Sequence, residues 1–387
     1  MAQLPNGTPD ALSVCEAADS GIVITGAVSD AGGYGDLLVM KFDGSNGNTV
    51  WTKTWAGTIG EVGSHIERTS DNGFFVTGST SSAGAGGVDM VAMKLDASGS
   101  LIWAKTIGGT GSEYGYWGTQ TSDGGYVLVG ETASYGAGVD NTLVVKLTST
   151  GTLSWARAIS AGAGNYARAY SVVQAPDGGY AIAGDAYGPP GYDGRYLAVK
   201  LTSTGAFSWA RITPDTGDSW GQAVANASDG GFVVCGFTYV YGQSSYGDMM
   251  VLKLEADGTN CLAQTFSPDF ATVTPTVSSW TPSEPTYSMS PSNTVSISSQ
   301  SFGFVDACPV GVDEMTPEVT AQMWSRGEWL YLYLPRESDV RLTITTHLAG
   351  LSRGFMMAMR AKGSTSSLQG LTPGASTWQS WNANGAR

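Results

Sequence analysis

The chain has 387 residues, 42% of them hydrophobic and only 13% charged, with a net charge of −14. That length and apolar content allow a large core and two or three domains, while the acidic balance argues against nucleic acid and anionic membrane as partners. No stretch approaches 18 consecutive apolar residues, so no helical membrane span is expected.

Residues 1–10 read as an N-terminal extension. Met1-Ala2-Gln3-Leu4-Pro5 has neither the basic start nor the apolar run of a signal peptide. The acidic surface, with Ser, Thr and Gly in place of Lys, suits a secreted or cell-surface protein, so a leader is read as already removed.

A motif then recurs through residues 11–268. Asp19, Asp71, Asp123, Asp177 and Asp229 each open an Asp-x-Gly turn, at gaps of 52, 52, 54 and 52 residues. A constant period of this size marks a repeat architecture. In the third repeat a strand over Trp117–Thr121 leads to the turn at Ser122–Gly125, where Gly supplies the positive φ of a hairpin. Strands over Tyr126–Gly130, Thr142–Leu147 and Leu153–Ala158 follow. Lys41, Lys94, Lys146, Lys200 and Lys253 close the third strands, and Trp51, Trp103, Trp155 and Trp209 stand in the fourth. In the fifth repeat Leu262 takes the Trp position. Four short antiparallel strands per repeat make one β-propeller blade, and each blade needs a neighbour to cover its apolar faces. The expected fold is all-β: a five-bladed propeller, six-bladed if residues 272–307 supply an irregular blade.

Several polar and aromatic positions are candidate sites. Glu61, Glu113, Asn165 and Asp218 recur in the loops between blades. Glu61, Glu113 and Asp218 would form a cation site if those loops face one channel, and Ca²⁺, which takes six to eight oxygens, is the cofactor that would suit it. Local loop hydrogen bonding is the alternative. Aromatics gather in loops that break the repeat: Tyr114, Tyr116 and Trp117; Tyr187 and Tyr192; Tyr239, Tyr241 and Tyr246. Such groups are anchors for sugars or proteins, or else covers for blade edges. Lys53, Lys105, Arg157 and Arg211 share a strand face with the fourth-strand tryptophans and are expected to make cation–π or inter-blade contacts. Neither histidine, His65 or His347, sits in a catalytic pattern, and no nucleophile elbow or phosphate loop is present. Four cysteines without C-x-x-C spacing argue against zinc. Cys261–Cys308 and Cys15–Cys235 are the favoured disulfides, with four buried thiols the alternative.

Residues 269–310 change character, with 21 of 42 residues Ser, Thr or Pro and no Lys or Arg. They read as a segment folded against the propeller or linking it onward. Residues 311–387 form a second unit, with strands expected over Trp329–Leu334, Val340–Ile344, Met356–Arg360 and Ser376–Trp381. That pattern fits a small Ig-like β-sandwich.

The repeats resemble the Asp-Gly-Gly/Trp propeller repeats of bacterial and archaeal cell-surface proteins. The C-terminal unit resembles the sorting domain of the type IX secretion system. The matching residues are the apolar strand ending at Pro335, Ser338-Asp339-Val340-Arg341-Leu342, Leu348-Ala349-Gly350-Leu351-Ser352-Arg353 and Gly370-Leu371-Thr372-Pro373-Gly374. Ala375 replaces the family's usual aromatic, and its final apolar strand has no counterpart before Arg387, which would leave an open edge for another subunit. The resemblance implies export across an outer membrane, followed by attachment or release. The expected function is that of a non-catalytic structural or adhesive protein that associates with itself, into a filament or surface layer, or with other surface proteins. The alternatives are a glycan-binding propeller using the loop aromatics and a propeller hydrolase or lyase using acids.

Overall fold

The computed structural model describes residues 10–283 apart from 30–34, 188–193, 214–216, 241–246 and 261. Beyond these it gives strand placement alone, at 2–3, 9 and 290–291 and within 322–368. Every regular element among the described residues is a strand, and the strands pair antiparallel. Each repeat builds one sheet. Sheet 1 comprises Pro9–Glu16, Ile22–Ser29, Gly35–Phe42 and Thr49–Trp55. Sheet 2 comprises Glu61–Arg68, Phe74–Thr80, Asp89–Leu95 and Leu101–Gly108. Sheet 3 runs through Glu113–Gln120, Tyr126–Thr132, Asn141–Leu147 and Leu153–Ser160. Sheet 4 runs through Tyr166–Gln174, Tyr180–Tyr187, Gly194–Leu201 and Phe207–Ile212. Sheet 5 has three strands, Ser219–Asn226, Phe232–Thr238 and Asp248–Leu254.

The sequence reading gives the fifth repeat a fourth strand around Leu262, and here the structure differs. Gln264–Thr265 crosses to the outer edge of sheet 4, pairing with Arg211 and Ile212. The chain then continues backwards along the array. Asp269–Val273 adds a fifth strand to sheet 3, Thr276–Ser279 adds one to sheet 2, and Ser283 bridges Ala56 beside sheet 1. Alternation within 269–279 is real strand periodicity, but its partners are edges already built. Farther on, Gln322–Arg326, Trp329–Tyr333 and Ser366–Leu368 form a three-stranded sheet, and Ser338–Leu348 pairs with Leu351–Ala361 as a hairpin. The strand expected at Ser376–Trp381 lies outside the described residues.

The anchoring aspartates hold the second and third strands together. In each repeat Asp Oδ1 accepts the N–H of the glycine two residues on. The same carboxylate pairs with the third-strand lysine, at 2.6–2.9 Å in all five sheets. The lysines of the first four sheets are buried while the aspartates face water. Partial burial opposes ionisation of Asp71 and Asp123. Their threonine neighbours, Thr69 and Thr121, together with the lysines outweigh it and hold both carboxyls at about 2.

The first strand of every sheet carries a β-bulge, at Leu12, Ser64, Tyr116, Tyr170 and Gln222. A bulge leaves one residue unpaired and bends the strand. Opposite it stands the second-strand glycine: Gly26, Gly78, Gly130, Gly184 or Gly236. A Cβ on any of these would lie 1.8–1.9 Å from the carbonyl oxygen of the residue preceding its cross-strand partner. No rotamer relieves a clash with backbone, so the recurrent glycine is a consequence of the bulge.

The sheets stack face to face. Four apolar clusters fill the seams: Leu37, Val39 and Trp55 with Val91 and Met93 between sheets 1 and 2; Met90 and Ala92 with Leu128 and Leu143 between 2 and 3; Val144 and Ile159 with Ile182 and Leu197 between 3 and 4; Tyr196 and Ala198 with Phe232 and Val234 between 4 and 5. Each fourth-strand Trp reaches across its seam. The Trp51 ring meets Gly99 of sheet 2, Trp103 meets Gly151, Trp155 meets Gly205 and Trp209 meets Gly258, all turn glycines at φ between +71° and +79°. The same rings contact Phe74, Tyr126, Tyr180 and Phe232 at 5.6–6.2 Å. Arg157 lies over Trp155 and donates to the Gly205 carbonyl of the next sheet, and Arg211 over Trp209 repeats this with Asp257.

The Gly130→Ala variant places a methyl group against the Tyr114 carbonyl and is expected to cost about 3 kcal/mol or more through backbone displacement. Urea unfolding measures this, and a loss below about 1 kcal/mol would show that the bulge accommodates a side chain.

Candidate functional site

The repeated acids are used locally. Glu61 Oε2 accepts the Gly57 N–H at 2.7 Å and its Oε1 accepts the Thr80 hydroxyl at 2.8 Å. Glu113 does the same with Gly109 and Thr132, both at 2.7 Å. Each carboxylate ties the loop before its strand to the end of the second strand. Register identifies their counterpart in sheet 5 as Ser219, whose hydroxyl donates to Thr238 at 2.8 Å. In sheet 4 it is Ala167. Asn165 and Asp218, matched to the glutamates by sequence spacing, lie two residues and one residue earlier, because the third interval is longer by two and loop lengths vary. Asp218 accepts the Gly194 N–H instead. Among the described residues no three His, Cys, Asp or Glu side chains are grouped to hold a metal ion.

Cys15 and Cys235 are free thiols. The expected Cys15–Cys235 bridge is therefore corrected. Cys15 packs into the seam of sheets 1 and 2, whereas Cys235 lies in the second strand of sheet 5. Burial pushes the Cys15 thiol up to about 12 and also raises that of Cys235. Cys261 and Cys308 lie outside the described residues.

The aromatic candidates separate into three groups. Trp117 is half-buried, stacked on the buried His65 with ring centroids 3.7 Å apart, and burial lowers that imidazole to about 4. Tyr114 is an exposed neighbour of the sheet 3 bulge. Tyr116, Tyr187 and Tyr239 join a continuous strip on sheets 3–5. Tyr192, Tyr241 and Tyr246 lie outside the described residues.

That strip is built where the repeat changes its chemistry. Tyr116 and Tyr170 occupy the bulge of adjacent sheets and meet at 5.4 Å. Beside them Arg168 contacts Glu131 at 3.0 Å and Asp140 at 2.9 Å, with its guanidinium 5.3 Å from the Tyr166 ring centre. Asp185 is wholly buried, with neither oxygen in a well-aligned hydrogen bond. Burial raises its carboxyl to about 6, against the pull of Tyr170 and Arg168. Burial also raises Glu131, opposed by Arg168 and the Tyr116 hydroxyl. Tyr187 accepts a hydrogen bond from the Trp220 indole. Trp220 in turn packs on Phe237 and Tyr239, at 4.4 and 5.9 Å.

Sequence reasoning passed over Arg168, Glu131, Asp185, Tyr170 and Trp220. The signal was available in one register position. The residue after the second-strand glycine is Ala27, Ser79, Glu131, Asp185 and Phe237 in turn. The scaffold folds with Ala or Ser there, so the acids answer to something else.

No family model matches this chain, and no curated protein matches it.

A carboxyl held at about 6 when folded and near 3.8 when unfolded favours the folded state below pH 4. That contribution disappears as the pH rises through 6. Asp185→Asn is expected to remove this slope, on the order of 2–3 kcal/mol between pH 4 and 7. Denaturant titrations across that range measure it, and identical slopes for the two proteins would refute the buried-carboxyl account.

Proposed function

We propose that the five sheets are blades of a β-propeller-type repeat and that the chain is a non-catalytic structural protein of the cell surface, working by association with copies of itself. The C-terminal sorting-like unit would direct its export. One observation carries the association. In sheets 1 to 4 the third-strand face turned toward the next sheet is covered, at Leu37 and Val39, Met90 and Ala92, Val144, and Tyr196 and Ala198. Its counterparts in sheet 5, Met249 and Val251, are 69% and 61% exposed. They lie on Asp248–Leu254, the edge strand of a sheet whose fourth strand has gone elsewhere. An apolar face beside a free strand edge is a template for pairing.

The opposite end of the array supports a closed arrangement over an open chain of copies. On sheet 1 the corresponding outer face, Val28, Leu38 and Met40, is buried. A head-to-tail filament would need that face free. Two copies of the sheet 5 face meeting about a two-fold axis need only each other.

Light scattering on eluting protein is expected to give a mass near twice 40.1 kDa, and the double variant Met249→Lys, Val251→Lys is expected to elute as a monomer with unchanged melting temperature. A wild-type protein that stays monomeric at high micromolar concentration would end this reading.

A further inference from the structure

The polar and aromatic strip across sheets 3–5 goes beyond a scaffold role and stands whether or not the chain self-associates. Burying Asp185 beside Glu131 costs stability, yet Ala27 and Ser79 serve the same position in sheets 1 and 2. The bulge residues change in parallel. Leu12 and Ser64 give way to Tyr116 and Tyr170, so two features the fold does not require appear together and on neighbouring sheets.

The chemistry of the strip is amphipathic on a short scale. Arg168 and its two carboxylates set donors beside acceptors, and all three side chains are partly open to solvent. Next to them the rings of Tyr187, Trp220 and Tyr239 succeed one another at 5.9–6.5 Å, ending in Tyr239, which is 49% exposed. A pyranose has the complementary character, with hydroxyls around its rim and C–H groups on its faces. A cation fits less well, because the Arg168 guanidinium already sits against both accessible acids, Glu131 and Asp140. A polyanion is repelled by a chain of net charge −14.

We propose that this strip binds a neutral oligosaccharide, with Tyr187, Trp220 and Tyr239 facing successive sugar rings and Arg168, Glu131 and Asp140 hydrogen-bonding their hydroxyls. The bulges at Tyr116 and Tyr170 bend the inner strands where the ligand lies. Binding uses side chains at positions whose chemistry the repeat does not hold constant, and needs no rearrangement of the sheets.

The test is calorimetric titration of the full chain with cellohexaose, chitohexaose, laminarihexaose and maltohexaose, and with hexalysine as a cationic probe. At least one hexaose is expected to bind, with an affinity insensitive to salt. Trp220→Ala and Arg168→Gln are each expected to weaken it about tenfold or more. Tyr239→Ser, at a half-exposed position that leaves the core intact, is expected to weaken it with no change in melting temperature. The proposal is overturned if none of the hexaoses binds, or if Trp220→Ala and Tyr239→Ser both bind as the wild type does. Salt-sensitive binding of hexalysine alone would also overturn it and assign the acids to a cationic partner.

Discussion

The indole of Trp103 rests on a glycine that belongs to the following sheet, and the same contact made by Trp51, Trp155 and Trp209 turns separate hairpins into one array. The contact restricts both sides. The turn must lie flat enough for a ring to cover it, which demands glycine at positive φ. The fourth strand must end its sheet at the height of its neighbour's turn. Burial of an aromatic of this size contributes on the order of 2–3 kcal/mol, and arginines at 157 and 211 extend the grip to the turn carbonyls. The in-sheet pairs of aspartate and lysine then work on geometry already set. They fix the second and third strands to each other, while the tryptophans fix one sheet to the next.

This division explains which parts could be read from sequence. Asp71 and Asp123 announce their turns because hairpin chemistry is local, and Phe74–Thr80 or Asn141–Leu147 announce strands by their apolar runs. Pairing that depends on distant chain is another matter. The residues after Leu262 carry strand periodicity, but periodicity does not name a partner, and the edge of sheet 4 wins them. Loops of unequal length hid the correspondence of Glu61 and Glu113 with Ser219, since only backbone register identifies equal positions across a variable loop. Cys15 and Cys235 offered a pairing by count, and both are free thiols. The strip around Arg168 was half legible. Its tyrosines stood out as aromatics in irregular segments, while Glu131 and Asp185 were concealed inside regular strands.

Repetition itself separates scaffold from site. Where five copies of a position agree, as at the second-strand glycine, the fold accounts for the residue. Where they disagree in chemistry, as from Ala27 to Phe237, the fold has released the position. The array also treats its ends unequally. The outward face of sheet 1 is covered and that of sheet 5 is not, so the two ends cannot serve as interchangeable surfaces.

The segment 264–283 runs against the order of synthesis. Sheets 1 to 4 can each form as their own hairpins emerge, but the strands on their outer edges are supplied only after all five sheets, and the Lys105 contact to Ser279 spans 174 residues of chain. Contacts so distant in sequence form slowly. Until they form, the edges of Leu153–Ser160 and Leu101–Gly108 stay unpaired and open to chance partners. The returning segment therefore acts as a seal laid over an array whose five sheets are already made, and the interval before it docks leaves those edges exposed to aggregation.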